Sequence, residues 1–360
     1  MGNKQSVQEL FNKLPYPTVT ERAWRHLRIP DYSQVDQNII KHRTEYNNRS
    51  DAVITHTPHR HFEAELANDK FYLLNQAFQP RAQAITIPQN VRDAFVHQNT
   101  IVESSGTVLA TTTITVNESS DLFFMEEFDN AQNKNCISSV THIVVAKDAR
   151  ITYLSKLALN PHTDHHHYCI VSVKEGGSFH SMTLATNSRL THAHLTVHLE
   201  GPYASATMHG LTIGLSENQV VHTTLQDHQS AFTTSDLDFR TILADQSHHY
   251  YHGLIRVGEK AHRSNAYQKN SNTLLSELAK TSSSPKLEIL TDDVRCTHGA
   301  TSGPLDDEQL WYMQSRGIAD RQAKMMLLHG MCDPLIKSLH NTSAELMVAS
   351  HIDQSLASII

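Results

Sequence analysis

Hydrophobic and polar residues alternate over a long central part of the chain. From about residue 70 to 294 the sequence is a succession of short runs rich in Val, Ile, Thr, Tyr and Phe, beginning with FYLLNQAF and including TVLATTTITV, HIVVA and HAHLTVHL. A period of two residues is typical of strands with one buried face. The pattern therefore predicts an almost uninterrupted series of strands over this region.

The number and spacing of these runs restrict the fold class. No amphipathic stretch between about residues 70 and 274 is long enough for a crossover helix, so a doubly wound α/β fold is disfavoured. The strands are too numerous for one ordinary sandwich, and no shift in composition marks a boundary between two. A parallel β-helix, in which coils stack on one another, accommodates the count, although no strict repeat is visible. We therefore predict a mainly β fold.

Both ends of the chain carry apolar residues at helical spacing. Before the β-region, QELFNKL, TERAWRHL and HFEAELAND are interrupted by prolines, which predicts short helices joined by loops. The expected division is an N-terminal helical segment at 1–69, a β-helix core at 70–303 and a C-terminal helical segment at 304–360.

In the C-terminal segment, the helical spacing of apolar residues predicts at least two helices, at LDDEQLWYMQSRG and DRQAKMMLLHGM. One or two more are expected in CDPLIKSLH and SAELMVASHIDQSLA. In the first helix, the spacing of Leu305, Leu310 and Met313 predicts a buried face, and Gly317 stands where a C-cap belongs.

Composition excludes several classes of partner. The formal net charge is -7, so no basic surface for nucleic acid is expected. No segment has the apolar length of a membrane span, and the first residues lack the apolar region of a secretory signal, so a cytoplasmic protein is expected. The 4 cysteines are far apart in sequence, which favours reduced thiols. The chain has no phosphate-binding Gly-x-x-x-x-Gly-Lys-Ser/Thr loop, so another chain would have to handle ATP.

The stretch DDVRCTHGATSG carries the strongest candidate chemistry. On a strand, Cys296 and His298 point to the same face. Thiolate and imidazole are ligands for iron and zinc, but two ligands fall short of the usual four, so the others would come from elsewhere. The alternative is a small buried cysteine and an ordinary hydrogen-bonded histidine. Gly299 and Gly303 are expected to serve the backbone where the chain leaves the last coil.

Other polar clusters are interpreted as structural. HTPHRH, DHHHY and HHYYH belong to a chain with 26 histidines, and we expect solvated side chains there rather than metal ligands. Asp236 and Asp238 are two residues apart, a placement that a β-helix carbohydrate-active enzyme could use for calcium or acid–base work. We expect acidic residues at a turn edge instead. Asp292 and Asp293 are expected in a turn.

The C-terminal part of the chain resembles the SufB/SufD family of iron–sulfur cluster assembly scaffolds. The family pattern has a leucine-rich segment, Pro-x-Leu-Glu-Ile, two acidic residues, Val-Lys/Arg-Cys-Ser/Thr-His-Gly-Ala-Thr and an acidic helix ending Ser-Arg-Gly-Ile. This chain has SPKLEILTDDVRCTHGAT followed by LDDEQLWYMQSRGI. Weaker similarity in HGLIRV, GPYASATMHGLTIG and TERAWRHLRIPDYS extends it over most of the chain, and the length is most like the D-type members.

The resemblance implies a right-handed parallel β-helix between two helical segments, and a non-enzymatic scaffold role. It implies pairing with a SufB-type paralogue and with a SufC-type ABC ATPase, and a transient Fe–S cluster shared with the partner rather than one bound permanently. His298, with Cys296, would ligate that cluster. Trp311, Tyr312 and Arg316 would contact the ATPase, although Trp311 and Tyr312 fit a buried helical cap equally well. Two alternatives remain open: a self-contained carbohydrate-active or metal-dependent β-helix enzyme, and a degenerate paralogue that forms a homodimer.

Overall fold

A computed structural model describes residues 4–17, 27–29, 32, 34–49, 51–58, 61–79, 81–129 and 134–359. Strands hold 50% of the chain and helices 19%, which confirms the mainly β prediction. The strands form two sheets of nine, here called sheet I and sheet II. Sheet I contains β1 (Arg43–Asn48), β4 (Ala94–Ile101), β6 (Asp121–Asp129), β8 (Arg150–Ala158), β10 (Ser178–Thr186), β12 (Ser205–Gly214), β14 (Thr234–Leu243), β16 (Ser264–Leu274) and β18 (Val294–Gly303). Sheet II contains β2 (Val53–Pro58), β3 (Arg81–Ile87), β5 (Gly106–Val116), β7 (Asn135–Val145), β9 (Asp164–Val173), β11 (Leu190–Leu199), β13 (Gln219–His228), β15 (His248–Val257) and β17 (Lys280–Ile289).

The chain alternates between the two sheets and coils into a parallel β-solenoid of about 7 turns. Thr191, Val220 and His249 are consecutive partners in sheet II, so these coils repeat every 29 residues (220 − 191 and 249 − 220). The parallel β-helix prediction is therefore confirmed. The side chains at these positions share no residue type, which explains why no strict repeat is visible in the sequence.

The two ends of the solenoid differ. At the N-terminal end, β1 and β2 run antiparallel to β4 and β3, respectively, and cover their edges. At the C-terminal end, β17 pairs with β15 and β18 pairs with β16, and each is the last strand of its sheet. The C-terminal end therefore presents two strand edges, each with one hydrogen-bonded neighbour among the described residues.

The N-terminal part of the chain packs on the outer face of sheet II. Helix α1 (Lys4–Lys13) and helix α2 (Lys70–Phe78) share a hydrophobic cluster with strands of that sheet. The prediction of a strand at FYLLNQAF is wrong, because these residues form α2. Its N-cap is Asp69, whose side chain accepts hydrogen bonds from the backbone N–H groups of Phe71 and Tyr72.

The expectation of helices and loops before residue 70 is only partly confirmed. QELFNKL lies mostly within α1, and HFEAELAND contains a short 3₁₀ helix at Ala64–Leu66. The strands β1 and β2 were not predicted, because RTEYNN and VITHTP carry little of the apolar alternation that marks a half-buried strand. Most of TERAWRHL lies outside the described residues.

Three helices follow the solenoid: α3 (Asp307–Ser315), α4 (Asp320–Lys337) and α5 (Thr342–Ala357). Helices α4 and α5 pack on the outer face of sheet I through buried residues such as Leu328 and Val348. Helix α3 buries none of its residues fully, but Leu310 and Met313 are half-buried and Leu305, just before the helix, packs against the same cluster, so the predicted buried face is only partly confirmed. Gly317 has a φ of 85°, as expected of a residue just beyond a helix end.

The helices confirm a helical C-terminal region, while the exact division at residues 69 and 303 stays a prediction. Within the described ranges, every helix is too short or too polar to cross a bilayer.

Candidate functional site

The candidate ligands lie on β18, the last strand of sheet I. In the parallel register with β16, Cys296 stands opposite Ala266 and His298 opposite Gln268. Ala266 and Gln268 are both buried between the sheets. Because side chains alternate along a strand, Cys296 and His298 belong to the row of β18 that faces the solenoid interior.

The two side chains differ in exposure. Cys296 is partly buried against an interior cluster that contains Ile255, Val257 and Ala266. This burial raises the pKa of its thiol. His298, two residues further along, is exposed. The structure thus brings both residues to the open end of the solenoid, with the imidazole accessible and the thiol packed inward.

Cys296 is distinct among the cysteines. Cys136, Cys169 and Cys332 are buried free thiols, and burial raises the pKa of each. Burial also raises the pKa of the Cys296 thiol, so the pKa does not set it apart, but Cys296 is only partly buried. Cys296 is therefore the one cysteine at which a partner or a metal can reach the sulfur without rearrangement of the core.

The inward row of β17 is also uncovered. Leu287 and Ile289 stand opposite the buried Ile255 and Val257, yet they are 40% exposed. Leu290, just beyond the strand, is 56% exposed. The apolar column of the interior therefore continues into the last coil and ends at solvent. Sequence reasoning missed this feature, although the alternation in KLEILTDD immediately before the turn was a visible signal.

The site holds too few ligands for a metal on its own. In the part of the chain that the structure describes, no three or more His, Cys, Asp or Glu side chains are placed to hold one ion. Cys296 and His298 supply at most two ligands, whereas clusters and structural metals need about four. A cluster at this position would require ligands from another chain.

The glycines near the site do not have the expected role. Gly299 and Gly303 both lie within β18 rather than in a turn after it, and neither has a positive φ. A Cβ added at either would contact nothing within 4 Å. The backbone of this chain therefore does not demand glycine at these positions. Asp292 and Asp293 do occupy the bend between β17 and β18, as predicted.

The prediction of solvated histidine clusters holds for one cluster and is wrong for much of the other two. His56 and His61 of HTPHRH are exposed, and His59 lies outside the described residues. In contrast, His165, His166 and His167 of DHHHY are at most 2% exposed, and His249 of HHYYH is fully buried. These histidines are part of the core. None of them belongs to a group of three or more described His, Cys, Asp or Glu side chains that could hold a metal ion.

Asp236 and Asp238 lie on β14 rather than at a turn edge, so that part of the prediction is wrong. Asp238 forms an ion pair with Arg240 at 2.7 Å. Burial raises the pKa of Asp236. Neither residue belongs to a described group that could hold calcium. The pair therefore gives no support to an enzyme of the carbohydrate-active type.

Helix α3 presents the second candidate surface. Trp311 is 70% exposed and Tyr312 is 55% exposed. The guanidinium of Arg316 lies 5.2 Å from the centre of the Tyr312 ring, in cation–π geometry one helical turn away. Asp306 caps the helix by accepting hydrogen bonds from the backbone of Glu308 and Gln309. The exposure of both aromatic rings contradicts a buried cap role for them.

Comparison with known proteins agrees with the geometry. The family model described as "SUF system FeS cluster assembly, SufBD core domain" matches residues 99–331, which is more than half of the chain. The iron–sulfur cluster assembly protein SufD of Escherichia coli is 31% identical over 217 residues, covering 59% of this chain and 51% of that protein. The SufBD family protein slr0076 of Synechocystis is 23% identical over 289 residues, covering 76% of this chain and 63% of that protein.

A third relative, SufD of Bacillus subtilis, is 29% identical over 115 residues, which is 32% of this chain and 26% of that protein. The chain spans less than two thirds of the length of each of these relatives. The matched core model nevertheless covers β5 to β18 entirely, together with α3 and the first two thirds of α4. The chain belongs to the SufBD family of iron–sulfur cluster assembly proteins.

Proposed function

We propose that this chain is a non-enzymatic scaffold subunit that pairs with a SufB-type paralogue and a SufC-type ABC ATPase, and that a nascent Fe–S cluster forms at the paralogue interface. The observation that carries the proposal is the open C-terminal end of the solenoid. There, two strand edges, an uncovered apolar row and an accessible imidazole lie together on the last coil. Four free cysteines are in keeping with a reducing compartment such as the cytoplasm.

The open end has the features of a pairing surface. An edge strand offers backbone N–H and C=O groups to a further strand, and folded proteins usually blunt or cover such an edge. Here the adjoining side chains include Leu287, Ile289 and Leu290, which are large, apolar and at least 40% exposed. A second solenoid that stacks on this end would bury these residues and satisfy both edges.

Pairing is tested by placing a charge in the apolar row. Leu287→Glu would put a carboxylate where the partner has to exclude water. Burying an unpaired charge costs more than about 3 kcal/mol, so affinity for the co-purified paralogue should fall at least ~100-fold. Leu346→Glu is the matched control, because Leu346 is 67% exposed but lies on α5, away from the open end. Equal affinities for the two variants would refute this surface.

His298 is proposed to supply one cluster ligand from this chain. It is exposed, lies on the inward row, and can act only together with ligands from the partner. His298→Ala should lower the iron and sulfide content of the purified three-component complex while leaving its assembly intact. Unchanged iron and sulfide would remove His298 from the ligand set. Cys296→Ser, measured alongside, separates a ligand from a packed thiol, since only a ligand would lower the cluster content.

Helix α3 is proposed as part of the ATPase contact. Trp311 and Tyr312 expose large rings that contribute little to the packing of this chain, and such residues often dominate binding energy at interfaces. The double variant Trp311→Ala, Tyr312→Ala should lose ATPase binding in a pull-down and retain the paralogue. Leu346→Ala serves as the control. Retained ATPase binding by the double variant would refute the assignment.

A further inference from the structure

Two networks of buried side chains lie inside the solenoid. In the first, the Glu126 carboxyl accepts hydrogen bonds from Tyr153 Oη at 2.5 Å and from Thr141 Oγ1 at 3.0 Å. Tyr153 Oη is also 3.1 Å from His167 Nε2, and His167 Nδ1 is 2.8 Å from Ser139 Oγ. All five side chains are at most 2% exposed.

The second network reaches the strand that carries the candidate ligands. His222 Nδ1 is 3.1 Å from His249 Nε2, and His249 Nδ1 is 3.0 Å from Asn272 Oδ1. Asn272 Nδ2 donates to the backbone carbonyl of Thr301 on β18 at 3.1 Å. A continuous line of contacts thus runs from the interior of β13 to the last strand.

The carbonyl of Thr301 fixes the direction of every hydrogen bond in this line. A carbonyl oxygen only accepts, so the amide nitrogen of Asn272 faces Thr301 and its oxygen faces His249. His249 therefore carries its proton on Nδ1. Burial lowers the pKa of both His249 and His222, so both rings are neutral. The unprotonated Nε2 of His249 then accepts from His222 Nδ1, which leaves the lone pair of His222 on Nε2.

His222 also lines a small cavity inside the solenoid. The cavity has a volume of about 10 Å³, and Tyr153, His167, Ser181 and His222 are among its lining residues. Ser181 Oγ and His222 Nε2 are both buried and have no hydrogen-bond partner in the described protein. An unsatisfied buried polar atom is costly, and here two of them line one cavity.

We propose that this cavity binds one structural water molecule, which donates a hydrogen bond to His222 Nε2 and bonds to Ser181 Oγ. The volume reaches the lower limit for one water, and although apolar side chains such as Leu195 and Phe239 form part of the wall, two unpartnered polar atoms supply the hydrogen bonds that a water requires. Through His222 the water is connected by hydrogen bonds to His249 and Asn272, and from there to the Thr301 carbonyl on the strand that carries Cys296 and His298.

A high-resolution crystal structure of the unmodified chain tests the site, together with long-range ¹H–¹⁵N spectra of histidine-labelled protein. The expected result is a density peak within hydrogen-bond distance of Ser181 Oγ and His222 Nε2, and a His222 ring protonated on Nδ1 alone. An empty cavity, or a His222 ring protonated on Nε2, would overturn the proposal.

Ser181→Val gives an independent readout, because the larger apolar side chain occupies the cavity. The peak should disappear, and the His222 Nε2 resonance should move toward that of a nitrogen without a donor. Thr212→Val is the matched control, since Thr212 Oγ1 is likewise buried and without a partner but is not among the residues that line this cavity. An unmoved His222 resonance in Ser181→Val would contradict the proposal. If that variant does not fold, the unmodified chain decides the question alone.

Discussion

Mild acid should unfold this protein, because its core contains neutral histidines. His167, His228 and His249 are at most 2% exposed, and burial lowers their pKa to about 3, 4 and 4, respectively. Burial also lowers the pKa of His165, His166 and His222 well below the ordinary value. These rings stay neutral in the folded chain at pH values where the unfolded chain takes up protons.

The sign of the effect follows from proton linkage. A group whose pKa is depressed by folding stabilises the native state above its unfolded pKa, and that stability is lost as the pH falls below about 6.5. At pH 5, protonation stabilises the unfolded chain by ~2 kcal/mol for each such histidine, because the pKa of the same ring in the folded chain lies below 5. His167, His228 and His249 together give ~6 kcal/mol.

This loss is comparable to the whole stability of many domains, which is about 5–15 kcal/mol. His165, His166 and His222 act in the same direction. The buried carboxyls of Asp164 and Glu126 oppose it, because burial raises the pKa of both, to about 6 for Asp164, and their contributions are therefore largest in acid. His198, whose pKa is raised to about 9, acts in the same direction as these carboxyls. Protonation of Asp164 offsets only ~1 kcal/mol between neutral pH and pH 5. The net prediction is a steep loss of stability between pH 6.5 and pH 5.

Urea unfolding followed by circular dichroism at pH 7.5, 6.5, 5.5 and 5 measures this directly. His228 contacts the hydroxyls of Thr233 and Ser235, so His228→Gln keeps polar contacts but removes the titration. The variant should lose ~2 kcal/mol less than the unmodified chain between pH 7.5 and pH 5. His162→Gln, at an exposed turn, is the control and should change nothing. A stability independent of pH, or equal slopes for His228→Gln and the control, would refute the reasoning.

Three further predictions concern other charged groups. Burial lowers the pKa of His198, but hydrogen bonds with Asp227 and Glu63 outweigh this effect and raise the pKa to about 9. The stability that His198 contributes is therefore present below pH 6.5 and lost as the pH rises through 9. Between these pH values the unmodified chain should lose ~2 kcal/mol of stability relative to His198→Gln in urea titrations, a figure discounted for solvent screening. Burial raises the pKa of Glu126, so the stability that this carboxyl contributes is lost as the pH rises. The stability of Glu126→Gln relative to the unmodified chain should therefore increase from pH 5 to pH 8. A constant difference between the two proteins would contradict this. Asp306→Ala removes the N-cap of α3 and should destabilise that helix by about 1 kcal/mol, seen as faster amide exchange in α3 but not in α5.

The strands of the solenoid could be predicted because alternation is a local property. A strand with one face in the core must repeat every two residues, and most runs from QAITI to HGLIRV do so. FYLLNQAF was mistaken for a strand because a short continuous apolar run fits a buried helix equally well. Asp69, which caps α2, was the local signal that could have decided for a helix.

Burial of the histidines could not be predicted, because it depends on which sheet face each residue occupies. In DHHHY, successive histidines alternate between the interior and the outer face of sheet II. His166 is buried because the ring of Phe71 on α2 stacks on its imidazole, with 3.5 Å between the ring centroids. His165 and His167 are buried inside the solenoid, where both contact the hydroxyl of Ser139. The first contact joins residues 95 positions apart (166 − 71), and no local pattern indicates it.

The candidate site was predictable in its residues but not in its setting. Spacing alone places Cys296 and His298 on one face of a strand. That this face belongs to the last coil, and that Leu287 and Ile289 remain partly exposed beside it, follows only from the stacking order of the coils. The aromatic residues of α3 show the same limit, because a helical spacing of apolar residues does not reveal whether another element covers them.

The central claim is that the open end of this solenoid is completed by other subunits. The most direct measurement is the native mass of the chain after anaerobic co-expression with the SufB-type and SufC-type proteins of the same organism. We predict a single stable complex that contains all three chains. A lone monomer or a homodimer of this chain would contradict the scaffold role and favour the degenerate-paralogue or enzyme alternatives.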